Sequence, residues 1–160
     1  MIKNNPTIND PDILNLRSFI EHRASWMALL LDEAKKEGAD PEKVGRNAVF
    51  RMGKIHGERF KDAKNMKEFA EKFLPFHIRK VFEMEIVNLT DDTLEVHFGY
   101  CPLVAAWQKL GLDDKTIELY CDIAMDGDRG ISSVNGMELT LNGTIAQGKD
   151  KCIAIFKKIK

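Results

Sequence analysis

Apolar residues in the first part of the chain recur at helical spacing. Asp10-Pro11 combines a capping aspartate with a proline at the first helical position, and Glu37-Gly38 is typical of a helix end. The pattern therefore predicts a first helix over about residues 10–37. Its apolar positions are Ile13, Leu16, Ile20, Met27, Leu30, Leu31 and Ala34.

Asp40-Pro41 repeats the capping signal and predicts a second helix. This segment carries a ridge of small residues spaced four apart, in which each glycine costs a helix roughly 1 kcal/mol relative to alanine. Such a ridge indicates that another backbone or a ligand approaches closely, and we favour close packing between two helices. The ridge consists of Gly45, Val49, Gly53 and Gly57. A third, short helix over about 66–74 is closed by Pro75.

The hydrophobic period then changes from helical to alternating. The segment EMEIVNLTDDTLEVHFGY alternates on both sides of Asp91-Asp92, which predicts a β-hairpin. In its second strand, alternation places two sets of side chains on opposite faces. One set is Leu94, Val96, Phe98 and Tyr100, and the other is Glu95, His97, Gly99 and Cys101.

The remaining pattern completes an α+β fold. A helix from Pro102 to about Leu110 and another over about 115–124 follow the hairpin, and MDGDRGISSVNG is predicted as a loop. MELTLNGTIA and KCIAIFKKI are then predicted as two strands joined by a turn at 147–150. We expect N-terminal helices plus a four-stranded antiparallel sheet, with helices inserted between its two hairpins. One domain would span 1–160, with a helical part over about 10–75 and a sheet-containing part over about 83–160.

Composition narrows the possible classes of protein. The chain has 160 residues, of which 44% are hydrophobic and 31% charged, and its formal net charge is -1. That charge lacks the basic excess that phosphate binding requires, so we expect no nucleic-acid partner. We expect no membrane partner either, because no apolar run approaches the ~20 residues of a membrane span, and the polar N-terminus does not resemble a signal peptide. Three widely spaced cysteines argue against a disulfide framework and favour the cytoplasm.

The joint between the hairpin and the next helix is the main candidate site. Cys101 directly precedes a proline-led helix, whose free N–H groups and dipole would stabilise a thiolate. Cys152 begins the last predicted strand, and Cys121 lies on the helix after the joint. Each cysteine could equally be a buried, inert thiol. Zinc ligation by Cys101, Cys121, Cys152 and His97 is an alternative, although no pair has the close spacing of a structural zinc site.

His97 is the candidate base for a Cys101 nucleophile. In a continuous strand the two residues share a face, but their Cα atoms would be about 13 Å apart. A sharp bend at Gly99 would be needed to bring the side chains together. Cys152, from another strand, is an alternative neighbour for either residue.

Several residues are candidates for binding a small-molecule substrate. Arg129 could pair with a carboxylate through its planar guanidinium. Asp126 or Asp128, in the predicted loop, could hold a cationic amidine or orient His97, although a solvated turn would have the same composition. The aromatic candidates for a pocket lining are Phe98, Tyr100, Trp107 and Phe156.

Three segments together resemble the L-2-amino-thiazoline-4-carboxylic acid hydrolase family. They are HFGYCPLVAAWQKLGL, LYCDIAMDGDRGI and GTIAQGKDKCIAIF, so the resemblance covers about 83–160, with a weaker helical match before it. The family is also similar to a wider group of small-molecule-binding domains, which includes vinyl-reductase-type domains and vesicle-tethering subunits. The resemblance implies an α+β fold and a homodimer formed through N-terminal helices.

The resemblance implies a small cytoplasmic hydrolase that acts on a C–N or C–S bond of a cyclic amidine or isothiourea. The catalytic set would be Cys101, His97, Cys121 and Cys152, with substrate held by Tyr100, Trp107, Asp126 and Arg129 and with no cofactor. The alternative is a non-catalytic domain that binds a small molecule or zinc through the same residues.

Overall fold

A computed structural model describes residues 1–159. Its order of elements confirms the α+β fold. The helices are α1 (Pro11–Lys36), α2 (Pro41–Gly57), α3 (Met66–Phe73), α4 (Phe76–Val81), α5 (Pro102–Lys109) and α6 (Asp114–Val134). The strands are β1 (Met84–Leu89), β2 (Thr93–Phe98), β3 (Met137–Leu141) and β4 (Cys152–Lys158), and short 3-10 turns occupy Glu58–Phe60 and Ile145–Gln147.

Aspartate caps begin the long helices as the sequence predicts. The Asp10 carboxylate accepts hydrogen bonds from the N–H groups of Asp12 and Ile13, and Asp40 accepts one from Lys43. Asp113 caps α6 in the same way. Gly38, after the end of α1, has φ +81, a left-handed conformation that glycine adopts without strain.

The four strands form one antiparallel sheet in the order β1-β2-β4-β3. In the register, Val96 lies opposite Ala154 and Leu94 lies opposite Phe156, so these residues share a face. All four are completely or almost completely buried. The opposite face carries the more polar set that includes Glu95, as predicted.

Two hydrophobic clusters hold the molecule together. The first covers the inner face of the sheet with aromatic side chains from α3 and the turn before it; Phe69 and Phe73 stack with ring centroids 5.3 Å apart. The second surrounds Trp107 of α5, whose Nε1 donates to the Ala24 carbonyl of α1 at 3.0 Å. The three cysteines belong to this second cluster.

The predicted loop MDGDRGISSVNG is wrong, because α6 continues through it to Val134. Two glycines within it, Gly127 and Gly130, face α2 and let the two backbones touch. A Cβ added to Gly53 of α2 would lie 2.0 Å from the Gly127 carbonyl oxygen, so the small-residue ridge serves close helix packing. The glycines of this segment, which suggested a turn, instead allow α2 and α6 to pack closely.

Two smaller predictions also change. The third predicted strand ends at Leu141, because Thr144 and Gln147 form a capping box that starts a 3-10 turn. The segment after Pro75, for which no element was predicted, forms α4. Among the described residues, no helix is long and apolar enough to cross a membrane.

Candidate functional site

The three cysteines meet where α5, α6 and β4 converge, and we call this group the thiol cluster: Cys101, Cys121 and Cys152. Cys101 caps the start of α5, Cys121 lies in the middle of α6, and Cys152 begins β4. Cys121 is buried, whereas the other two are half-buried. The Cys152 Sγ accepts a hydrogen bond from the Ile145 N–H at 3.1 Å. The three thiols therefore lie in one region of the fold, among apolar side chains.

The first nine residues cover part of this cluster, and we call them the N-terminal strap. The Asn4 side chain donates to the Cys101 carbonyl at 2.8 Å and accepts from the Cys101 N–H at 2.9 Å. Ile2 is 6% exposed and packs into the same hydrophobic cluster, while its carbonyl accepts from the Gln108 side chain. Sequence patterning did not identify the strap, because an irregular segment has no periodicity.

Burial favours the protonated form of all three thiols, against the expectation that the start of α5 stabilises a thiolate. Burial raises the pKa of Cys101 above that of an ordinary thiol, and the Val104 and Leu103 N–H groups oppose this only in part. Burial together with the neighbouring Cys101 raises the pKa of Cys152 to about 12. The pKa of Cys121 is raised for the same reasons. Helix-start donors are present as predicted, but loss of water outweighs them.

The structure shows no hydrogen bond between His97 and Cys101 and gives His97 another partner. β2 ends at Phe98, so strand alternation does not extend to Cys101. Cys152 lies opposite Phe98 in the register and therefore shares the inner face, whereas His97 lies on the outer face. The His97 Nε2 and the Glu95 Oε1 are 2.7 Å apart, which engages the imidazole away from the thiols.

The predicted zinc set is not assembled. Within residues 1–159, no group of three or more His, Cys, Asp or Glu side chains is arranged to hold a metal ion. His97 lies on the opposite face of the sheet from Cys152. Zinc binds cysteine as the thiolate, so a neutral thiol must release its proton before zinc can bind.

Asp126 and Arg129 are engaged within the protein rather than free for a substrate. Arg46 of α2 contacts Asp122 at 2.7 Å and Asp126 at 3.1 Å, and Arg129 contacts each of the same carboxylates at 2.6 Å. These four side chains form a ring of alternating charge, which we call the charge ring. Because each charge has two opposite neighbours, the ring joins α2 to α6 and leaves no unpaired guanidinium for a ligand.

Tyr100 and Trp107 are also structural side chains. Trp107 is fully buried, and its ring meets Tyr120 edge-on at 5.9 Å. Tyr100 is 5% exposed and lies beneath the Arg17 guanidinium, 4.3 Å from carbon to ring centroid. Arg17 in turn pairs with Glu83 at 2.9 Å. Trp107 therefore has no face free for a substrate, whereas Tyr100 also lines a surface cavity together with Arg17 and Gln108.

Asp128 is the acidic residue of this segment that remains unpaired. It forms no ion pair or hydrogen bond with another of the described residues, and burial raises its pKa to about 6. Cys121, Asp128 and Ser132 lie at i, i+7 and i+11 on α6, so they form one stripe on the face opposite α2, which we call the inner stripe. The Ser132 hydroxyl is buried and has no hydrogen-bond partner.

Arg23 of α1 is an exposed cation whose charge influences the pKa of Asp128 and of Cys101. Burial raises the pKa of both Asp128 and Cys101, and the positive charge of Arg23 opposes this rise only in part. His56, on α2, has a lowered pKa because of burial and because of Arg59 and Arg23. Sequence analysis did not single out Arg23 or Ser132, since neither belongs to a local motif; helical spacing from Cys121 could have identified Ser132.

Comparisons with known proteins agree with this arrangement of elements. No curated protein matches the chain. Among solved structures, the chain is similar to a trafficking protein particle complex subunit 3 from Naegleria fowleri, whose crystal structure shows it covalently bound to palmitic acid. The two share 16% sequence identity with a TM-score of 0.59, and the match covers 88% of this chain and 95% of that one. At this identity the likeness establishes a shared fold.

The L-2-amino-thiazoline-4-carboxylic acid hydrolase family matches residues 17–156. The match begins within α1 and ends within β4, so it includes the thiol cluster, the charge ring and the inner stripe. It also extends well beyond the segment after residue 83 that carried most of the resemblance. The chain belongs to the L-2-amino-thiazoline-4-carboxylic acid hydrolase family.

Proposed function

We propose that this protein is a small-molecule hydrolase that opens a C–N or C–S bond of a cyclic amidine or isothiourea bearing a carboxylate. Membership of the family over residues 17–156 is the observation that carries this proposal. The grouping of the three thiols in one cluster of α5, α6 and β4 supports a site in that part of the fold. We place the protein in the cytoplasm, where its three free cysteines would stay reduced.

The reaction requires attack on the carbon held between two nitrogens and a sulfur. Protonation of the amidine makes that carbon electrophilic, and a nearby carboxylate stabilises the protonated form. Hydrolysis of the ring then yields a carbamoyl-cysteine. The attacking group is either water or the Cys101 thiol after loss of its proton, and burial of the thiol favours water.

Turnover of L-2-amino-thiazoline-4-carboxylate by the purified chain tests the proposal. The expected result is formation of carbamoyl-cysteine, which is detected by chromatography and mass spectrometry. No product after prolonged incubation with folded protein would contradict the assignment of this substrate.

Variants in which one cysteine of the thiol cluster is replaced by serine then distinguish a catalytic nucleophile from a cysteine that only supports the fold. If Cys101 is the nucleophile, Cys101→Ser abolishes turnover, whereas Cys152→Ser retains most of it. Equal activity in all three cysteine variants would leave water as the nucleophile. Thermal unfolding of each variant checks that the fold is retained.

A non-catalytic small-molecule-binding domain is the second candidate. Neutral thiols and the placement of His97 on the other sheet face favour it, because neither group is prepared for catalysis. In this case the same compound would bind without turnover.

We also propose a homodimer formed through α1. Phe19, Trp26 and Leu30 lie at i, i+7 and i+11 and are each at least 63% exposed. A helix stripe of this kind is costly in water and is typical of a protein–protein interface. A second copy of the chain is the partner that would cover it.

A further inference from the structure

A surface cavity of about 650 Å³ lies between the N-terminal strap, α1 and α5, and we call it the strap cavity. Its lining combines the apolar side chains of Pro6, Leu14 and Ala105 with polar groups from α1, from α5 and from the residue that leads into α5. A cavity of this volume is in the range of sites that hold small molecules. The three cysteines are not among the described residues that line it, so it is separate from the thiol cluster.

Tyr100 contributes a buried hydroxyl without a partner to the strap cavity. The residue is 5% exposed and lines the cavity, yet its hydroxyl makes no hydrogen bond with another of the described residues. Burial and the negative charge of Glu21 raise the pKa of Tyr100, so the hydroxyl keeps its proton at neutral pH and can donate. A buried tyrosine hydroxyl usually has a partner, because it has lost its bonds to water. This hydroxyl therefore indicates a place for an acceptor atom from outside the chain.

Arg17 supplies a second donor close to this tyrosine. Its side chain is 2% exposed, and its guanidinium carbon lies 4.3 Å from the centroid of the Tyr100 ring. The fifth of its N–H groups, on Nη1, has no acceptor among the described residues. The other four N–H groups donate to Val81, Ile8, Lys80 and Glu83. Two donors without acceptors therefore line the same cavity.

Gln108 and Glu21 provide acceptors in the strap cavity. The Gln108 Nε2 donates to the Ile2 carbonyl at 3.0 Å, which identifies Oε1 as the end of the amide that is left to accept. Glu21 contacts Lys109 through Oε2 and keeps its other carboxylate oxygen. The cavity thus offers both donors and acceptors to a ligand.

The charges that line the strap cavity are already compensated. Arg17 pairs with Glu83 at 2.9 Å, and Glu21 pairs with Lys109. A carboxylate ligand would bring a second acceptor oxygen towards acceptors of the protein, and a cationic ligand would approach the two basic side chains. A neutral ligand avoids both costs, so the lining favours hydrogen-bonding groups without a net charge.

We propose that the strap cavity binds a small neutral molecule through a carboxamide group, with an apolar body against the apolar part of the lining. The carboxamide oxygen accepts from the Tyr100 hydroxyl and from the Arg17 Nη1–H, and the carboxamide N–H donates to the Gln108 Oε1. The proposal does not depend on the hydrolase function, because both the ligand and the lining residues differ from those of the proposed reaction.

Benzamide, benzoate and benzamidine test the preference for a neutral ligand, because they have nearly the same shape and differ in charge. Fluorine NMR of protein labelled with fluorotyrosine follows the two tyrosines of the chain, Tyr100 and Tyr120. Tyr120 packs against Trp107 outside the cavity and is an internal reference. Benzamide should shift the Tyr100 signal saturably and leave the Tyr120 signal unchanged. Benzoate and benzamidine should bind at least about tenfold more weakly.

Tyr100→Phe removes the hydroxyl and keeps the ring beneath Arg17. Calorimetric titration should show about tenfold weaker benzamide binding in this variant, whereas Tyr120→Phe, the matched control, should bind benzamide as the unmodified protein does. Thermal unfolding checks that both variants are folded, and the NMR titration of the unmodified sequence decides independently of them. The proposal is overturned if benzamide leaves the Tyr100 signal unchanged, if both tyrosine signals shift alike, if either charged compound binds as well as benzamide, or if the two folded variants bind it equally.

Discussion

Asp128 is a carboxyl group that the fold keeps in an unfavourable environment. Burial raises its pKa from an ordinary 3.8 to about 6, with Arg23 and Arg129 offsetting only part of the effect. Between these two pKa values the folded protein binds a proton that the unfolded chain releases. Stability contributed by the protonated form is therefore complete below about pH 4 and is lost as the pH rises through 6.

Asp128→Asn should consequently stabilise the protein at neutral pH, because the amide carries no charge to desolvate. The expected gain is on the order of 1 to 2 kcal/mol at pH 7, reduced from the full shift because the residue keeps some exposure. At pH 4 the gain should disappear. Urea unfolding of both proteins at pH 4, 6 and 7.5 measures this, and a pH-independent difference would contradict it.

Sequence composition placed three charged residues in one short segment but could not distinguish their roles. Asp126 and Arg129 lie on a different side of α6 from Asp128. This difference can be recognised only when the segment is known to be helical.

At the scale of elements, the contact between α2 and α6 depends on glycines from both helices. A Cβ at Gly53 would lie 2.0 Å from the Gly127 carbonyl oxygen, and one at Gly130 would lie 2.3 Å from the Phe50 carbonyl oxygen. By contrast, a Cβ at Gly127 would meet only the Val49 side chain at 3.6 Å, an ordinary contact. Gly53 and Gly130 thus have no room for a side chain, whereas Gly127 has room for a methyl group.

Gly53→Ala should destabilise the protein by about 3 kcal/mol, because two helix backbones must separate to admit the methyl group. Gly127→Ala is the matched control, and its higher helix propensity should leave the protein unchanged or stabilise it by up to about 1 kcal/mol. Chemical unfolding monitored by tryptophan fluorescence compares them. Similar losses in the two variants would show that the helices are less tightly packed than described.

The helix ends, the first hairpin and the face of β2 were predictable because each depends on local rules: aspartate caps, Pro and Gly positions and alternating polarity. The glycine ridge on α2 was also predictable as a packing surface. Its partner was not, because Gly127 and Gly130 suggest a turn until the opposing helix is known. The separation of His97 from the thiols required knowing that β2 ends at Phe98.

At the scale of the whole molecule, α1 presents a large unpartnered apolar surface. Phe19 is 66% exposed, Trp26 63% and Leu30 65%, while the opposite side of the helix packs against α5 through Ala24 and Ala28. The helix is therefore apolar on two sides, and only one of them is buried within the chain. A second copy would bury the other.

Light scattering coupled to size exclusion should accordingly give about twice the 18.2 kDa mass of the chain. Trp26→Glu should shift the protein to a monomer, since a charge at the centre of the stripe cannot be buried cheaply. Leu110→Glu, at an exposed position at the end of α5, is the control and should remain dimeric. A monomer for the unmodified protein would remove the proposal.

The N-terminal strap has a practical consequence for work on this protein. Asn4 hydrogen-bonds to both backbone groups of Cys101, and Ile2 packs into the cluster that contains the sulfur atoms, so the strap shields those sulfurs. Trimming the first few residues would uncover them to oxidants and alkylating reagents. Samples intended for thiol chemistry should therefore keep Ile2 and Asn4.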